Sequence, residues 1–93
     1  MVIGSVRLEL LIYDVQSLKE KRSIIKSVQS KLKQKYNLSV AEVGHHDVWQ
    51  RAELGIVTVS MNKKVCEREL QRALALIDSI PAIERTVMTF EWL

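Results

Sequence analysis

The chain has 93 residues, 47% of them hydrophobic and 27% charged, and carries a formal net charge of +3 at pH 7. That length suits a single domain over residues 1–93 with a two-layer core. The apolar start is interrupted by Arg7 and Glu9, which excludes a membrane span or signal-peptide core there and leads us to expect a cytoplasmic protein. The lone Cys66 has no disulfide partner and falls among the apolar positions of a helical pattern, so a packed thiol is expected rather than a nucleophile.

From Val2 to Tyr13 the residues alternate, with Val2, Val6, Leu8, Leu10 and Ile12 on one face and Ser5, Arg7, Glu9, Leu11 and Tyr13 on the other, the mark of a half-buried strand. Ser17-Leu18-Lys19-Glu20 reads as a capping box, in which the Ser17 hydroxyl accepts from the Glu20 N–H and the Glu20 carboxylate returns to the Ser17 N–H. A helix therefore begins there. Its apolar stripe is Leu18, Ile25, Val28, Leu32 and Tyr36, with Ile24 at the margin and Asn37 as the stop. Leu38 to Val43 makes a short strand, and Arg51 to Ser60 makes a longer one that is apolar on both faces, as a central strand would be. Asn62 caps a second helix carrying Cys66, Leu70, Ala73, Leu74 and Ile77, which Pro81 ends. The final alternation, Ile83 to Leu93, puts Thr86, Met88, Phe90 and Trp92 on one face and Arg85, Val87, Thr89 and Glu91 on the other.

The order β-α-β-β-α-β predicts an α+β, ferredoxin-like sandwich, a four-stranded antiparallel sheet in order 4-1-3-2 with two helices on one face. In that topology the start of the first helix and the 44–50 hairpin emerge at one edge. Lys19, Lys21 and Arg22 are then expected beside His45, His46, Asp47 and Trp49.

Charge is concentrated at this same place. Between Ser17 and Tyr36 stand seven of the fourteen Lys and Arg residues against a single acid, Glu20, so the segment is +6 and the rest of the chain −3. Around the helix, Arg22, Lys33, Lys26 and Lys19 fall within an arc of about 60° and extend about 21 Å along the axis. That stripe is long enough to follow several phosphates of a nucleic-acid backbone. Lys21 instead lies about 300° round the helix, inside the apolar stripe, and must either reach past the helix end or support the core. Lys19, Lys21 and Arg22 also stand where the helix dipole disfavours cations by roughly 0.3–1 kcal/mol each, so stability alone would select acids. Cations and free N–H groups together form an anion site. The expected nucleic-acid or anion-binding residues are Lys19, Arg22, Lys26, Lys33, Lys21, His45, His46 and Trp49.

In the hairpin, His45, His46 and Asp47 superficially suggest metal ligands, but adjacent histidines in a short loop seldom converge on one ion, so no metal and no cofactor are expected. A histidine there can hydrogen-bond to a base, and Trp49 is either a lid over the hairpin's apolar end or a stacking platform. The open sheet face lacks the stacking aromatics of an RNA-recognition motif. Leu11, with either Leu54 and Ile56 or Val57 and Val59, would make a patch for self-association. Val15-Gln16-Ser17-Leu18 with Lys21-Arg22 loosely resembles the phosphate loop of acylphosphatases. However, Ser17 replaces the glycine of that loop, the arginine is displaced by one position, and the third strand has no asparagine.

Ser17-Leu18-Lys19-Glu20-Lys21-Arg22 with Ser23-Ile24-Ile25-Lys26-Ser27, and Ser39-Val40-Ala41-Glu42-Val43 followed by Asp47, Trp49-Gln50-Arg51-Ala52 and Leu54-Gly55, resemble the small bacterial YlxP-like family over the whole chain. The resemblance implies a ferredoxin-like fold without an established activity. Members of that family are often described as RNA-binding, because their genes tend to sit among those for translation initiation and ribosome maturation, which implies a context rather than a mechanism. Gly55 is expected to let a helix pack closely on the sheet. The reading is a non-enzymatic RNA-binding accessory protein associated with ribosome maturation or translation. Its alternatives are a homodimeric protein-interaction or anion-binding module paired through the open sheet face, and, third, an acylphosphatase-like hydrolase.

Overall fold

The first alternation is realised as a strand, β1 (Val2–Ile12), in which Val6, Leu8, Leu10 and Ile12 are buried while Arg7 is exposed. This computed structural model describes every residue from Met1 to Leu93. After β1 come α1 (Leu18–Lys35), β2 (Ser39–Gly44), β3 (Arg51–Ser60), α2 (Lys63–Asp78) and β4 (Ile83–Trp92). The four strands form one sheet in order β2-β3-β1-β4, with every pairing antiparallel. This is the ferredoxin-like arrangement expected from the element order.

Both helices cover one face of the sheet, α2 over β1 and β3 and α1 over β2. The buried set unites Val6, Leu8, Leu10 and Ile12 of β1, Ala52, Leu54 and Ile56 of β3, Ile25, Val28 and Leu32 of α1, and Leu70, Ala73, Leu74 and Ile77 of α2. Each large member contributes roughly 1.5–3 kcal/mol through removal from water. Cys66 is buried with its Sγ 3.4 Å from Ser60 Oγ and 3.5 Å from the Val2 carbonyl, the packing position expected of it. The α2 cap is Asn62, whose Oδ1 accepts from the Val65 N–H at 3.0 Å.

Several sequence expectations are corrected by the register. Leu8 pairs with Met88 but Leu10 pairs with Arg85, so Thr86 and Val87 together oppose Glu9 in a bulge. The bulge turns Arg85 to the helix side, where its Nε and Nη2 donate to Asp78 at 2.6 and 3.0 Å and fasten β4 to the end of α2. Arg85 is therefore absent from the open face. Leu11 lies opposite Arg51 and Glu84, whereas Val57 lies opposite Ser5, six residues away along β1. Leu54 and Ile56 are buried, and Leu11 does not join Val57 and Val59 in one patch.

Gly55 also has a different role from the expected one. It shares the open face with Arg7, and a Cβ there would meet Val43 Cγ1 at 3.3 Å rather than a helix. The glycine that admits close packing beneath the helices is Gly4, where a Cβ would lie 2.5 Å from the Trp92 ring and 3.3 Å from Cys66 Cβ. Asn37 does not stop α1 directly, since the cap is Tyr36. Asn37 ties the helix exit down instead, its N–H donating to Glu69 Oε2 at 2.9 Å and its carbonyl accepting from Thr58 Oγ1 at 2.6 Å.

Candidate anion-binding edge

The start of α1 is fixed by the Ser17 hydroxyl, which accepts from the Glu20 N–H at 3.1 Å. The Glu20 carboxylate returns to the Gln16 N–H at 3.0 Å, one residue earlier than a standard capping box would place it. Glu20 is thereby occupied with the backbone. From this start the exposed side of the helix carries Lys19, Arg22, Lys26 and Lys33, all solvent-exposed. None of the four takes part in an ion pair of the chain. The positive field of the stripe is therefore not neutralised within the protein.

Lys21 departs from the expected binding set. Its side chain is buried, its Nζ donates to the His45 carbonyl, and Glu42 Oε2 stands 3.0 Å away. The same carbonyl accepts from the Val48 N–H at 3.2 Å, so Lys21 fastens the turn of the hairpin to the first turns of α1. Glu42 Oε2 is a buried oxygen with no aligned donor, held to Lys21 by charge alone. Regular alternation from Val40 puts Glu42, opposite Leu54, on the helix side, and a register shift just after it leaves Val43 as the extra residue. The signal was present in the sequence, because a lysine inside an apolar helical stripe needs an acceptor. What the chain order did not show was which acid would meet it.

The two histidines divide between the faces of the sheet. His45, at φ 59°, places its Nε2 2.8 Å from Glu9 Oε1, on the open-face side, and Arg51 Nη2 donates to the same oxygen at 2.7 Å. Its ring is thus engaged away from the α1 stripe. His46 is exposed, with its Nδ1 3.6 Å from Glu42 Oε1, beside the Lys21 pair. Trp49 is 48% exposed, leaving a large part of its ring open to a stacking partner. The hairpin is joined to β1 by the Ile12 N–H, which donates to the Gln50 carbonyl at 2.9 Å. At the other end of the sheet, Lys63 Nζ lies 5.0 Å from the Trp92 ring centre.

The hydrogen bond from His45, aided by Arg51 and opposed by partial burial, holds the Glu9 carboxyl below its ordinary value of 4.5. Because the folded-state value is depressed, the stabilisation from Glu9 is complete above 4.5 and is lost as pH falls through the lowered value. The difference in melting temperature between the parent and Glu9→Gln should therefore shrink as pH falls below 4.5. A difference that persists unchanged in acid would contradict this assignment.

This is a ferredoxin-like α+β domain with one basic helix face and a hairpin braced against the start of that helix. Residues 3–90 match the family described as "Protein of unknown function (DUF503)", and the chain belongs to that family. A protein of Bacillus subtilis (strain 168), "Uncharacterized protein YlxP", is 47% identical over 91 residues, an alignment covering 98% of this chain and 99% of that one. Among solved structures, the "De novo designed protein Foldit4" superposes with a TM-score of 0.53 at 17% identity, covering 99% of this chain and 94% of its own. That likeness concerns the fold alone.

Proposed function

We propose that the protein is a non-catalytic RNA-binding accessory factor that grips RNA phosphates through Lys19, Arg22, Lys26 and Lys33, acting on ribosomal RNA or a ribosomal particle. The observation that carries this reading is the exposed stripe of four cations without an ion-pair partner. One of them, Lys19, stands in the first turn of the helix, where the dipole opposes positive charge, and Arg22 follows one turn later. An unpaired cation held against the dipole gains most when an anion arrives, and phosphate also finds the free N–H groups of that end. His46 and Trp49, exposed on the hairpin that Lys21 braces, supply hydrogen bonding and stacking for a base that leaves the backbone track. Contacts made chiefly to phosphate give strong salt dependence and modest sequence preference.

Ultraviolet crosslinking in growing cells, followed by sequencing of the attached RNA, tests the proposal. Recovery of a discrete ribosomal site, with crosslinked peptides from α1 or the hairpin, is the expected result. Recovery of no RNA above an unirradiated control would contradict it.

A further inference from the structure

The helices leave the opposite face of the sheet bare. On it Val57 and Val59 of β3 remain 42% and 44% exposed, and Val43 of β2 49%. Between Val43 and Val57 lies Gly55, whose missing side chain opens a depression of about 160 Å³ bordered by Ser5, Arg7 and Glu91. A knob, Val57, thus stands two residues along the same strand from a hole. Arg7 is level with Gly55, and Glu91 is level with Ser5 and hence with Val57. Both charges are exposed, and neither is paired within the chain.

We infer that this face pairs with the same face of a second copy, about a two-fold axis that crosses the strands at the level of Ile56. Such an axis exchanges the levels of residues 55 and 57. Val57 of each copy then enters the depression over Gly55 of the other, and Arg7 of each copy comes level with Glu91 of the other, one strand away. The knob, the hole and both charges are satisfied by one operation, as an isologous interface requires.

Area permits this interface. Four strands spaced about 4.8 Å apart and about eight residues long at about 3.3 Å each present a plane of about 500 Å² per copy. Side-chain relief raises the accessible area above that, so two copies together exceed the roughly 1,000 Å² expected of a specific interface. Sheets packed face to face interdigitate side chains across about 10 Å, the reach of Val57 into the depression and of Arg7 to Glu91. Because both helices lie on the far side of each sheet, the dimer leaves both basic stripes exposed and pointing outward. Two tethered sites can engage one extended RNA with a higher effective concentration than either alone.

Sedimentation equilibrium of the full chain over a concentration series, with no nucleic acid present, tests this independently of RNA binding. The parent is expected to be a dimer and Val57→Lys a monomer with unchanged circular dichroism. Arg7→Glu and Glu91→Arg should each weaken the dimer about tenfold, and the two together should restore it. A parent that remains monomeric, a Val57→Lys dimer joined by an edge strand, or a charge swap that fails to restore association would each overturn the inference.

Discussion

Lys21→Met is expected to destabilise the fold by about 3 kcal/mol, at the low end of the range for removing one member of a buried ion pair. The stem of Lys21 occupies the apolar stripe of α1, and methionine preserves most of that packing. What is lost is the ammonium, which leaves Glu42 Oε2 buried without a counter-charge and the His45 carbonyl with Val48 as its remaining donor. Two features keep the loss from being larger: 16% of the Glu42 side chain is exposed, and His46 Nδ1 stands 3.6 Å from its other oxygen. Glu42→Leu alone should also destabilise, by leaving the ammonium buried with only a carbonyl.

The Lys21→Met and Glu42→Leu double variant should recover most of the stability, because no uncompensated charge then remains inside. Urea denaturation of the four proteins of this cycle measures the coupling. Single variants that each cost under about 0.5 kcal/mol and add in the double would show that the pair is not coupled. Faster hydrogen exchange through the 44–50 segment of Lys21→Met is the accompanying expectation, since the brace to α1 is gone.

The architecture was legible because its signals are local. The alternation of Val6, Leu8, Leu10 and Ile12, the Ser17 cap, the Asn62 cap and Pro81 each specify an element from neighbouring residues, and the element order leaves few topologies. Location of the basic stripe was also legible, since helical geometry alone separates Lys19, Arg22, Lys26 and Lys33 from the buried side.

Whatever depends on register was not. A bulge opposite Glu9 inverts the alternation of β4 before Met88, so Arg85 faces α2 although strict period-two counting places it outside. Leu11 and Val57 share a face but lie six residues apart in level, a separation that no single strand's pattern records. The close-packing role expected of Gly55 falls to Gly4 for the same reason: Gly4 meets Trp92, which arrives from the other end of the chain. Lys21 was legible by halves, its angle showing that it points inward and only the fold showing that Glu42 and the His45 carbonyl receive it.

Changing Lys19, Arg22, Lys26 and Lys33 together to Glu should abolish RNA binding while leaving the fold intact, because all four side chains are exposed and unpaired. Lys21 is left out of the set, since its loss acts on stability and would confuse the result. Each phosphate contact contributes about 0.7 to the salt slope for a single strand and about 0.9 for a duplex, so four contacts give a slope near −3. The parent should accordingly lose about 50-fold or more in affinity between 50 and 200 mM salt. The most direct test is a filter-binding titration of parent and quadruple variant against the same ribosomal RNA fragment across that salt range, with circular dichroism confirming the fold of both. Steep salt dependence in the parent and no measurable binding by the variant is the predicted result; a folded quadruple variant that binds as tightly as the parent would contradict the account.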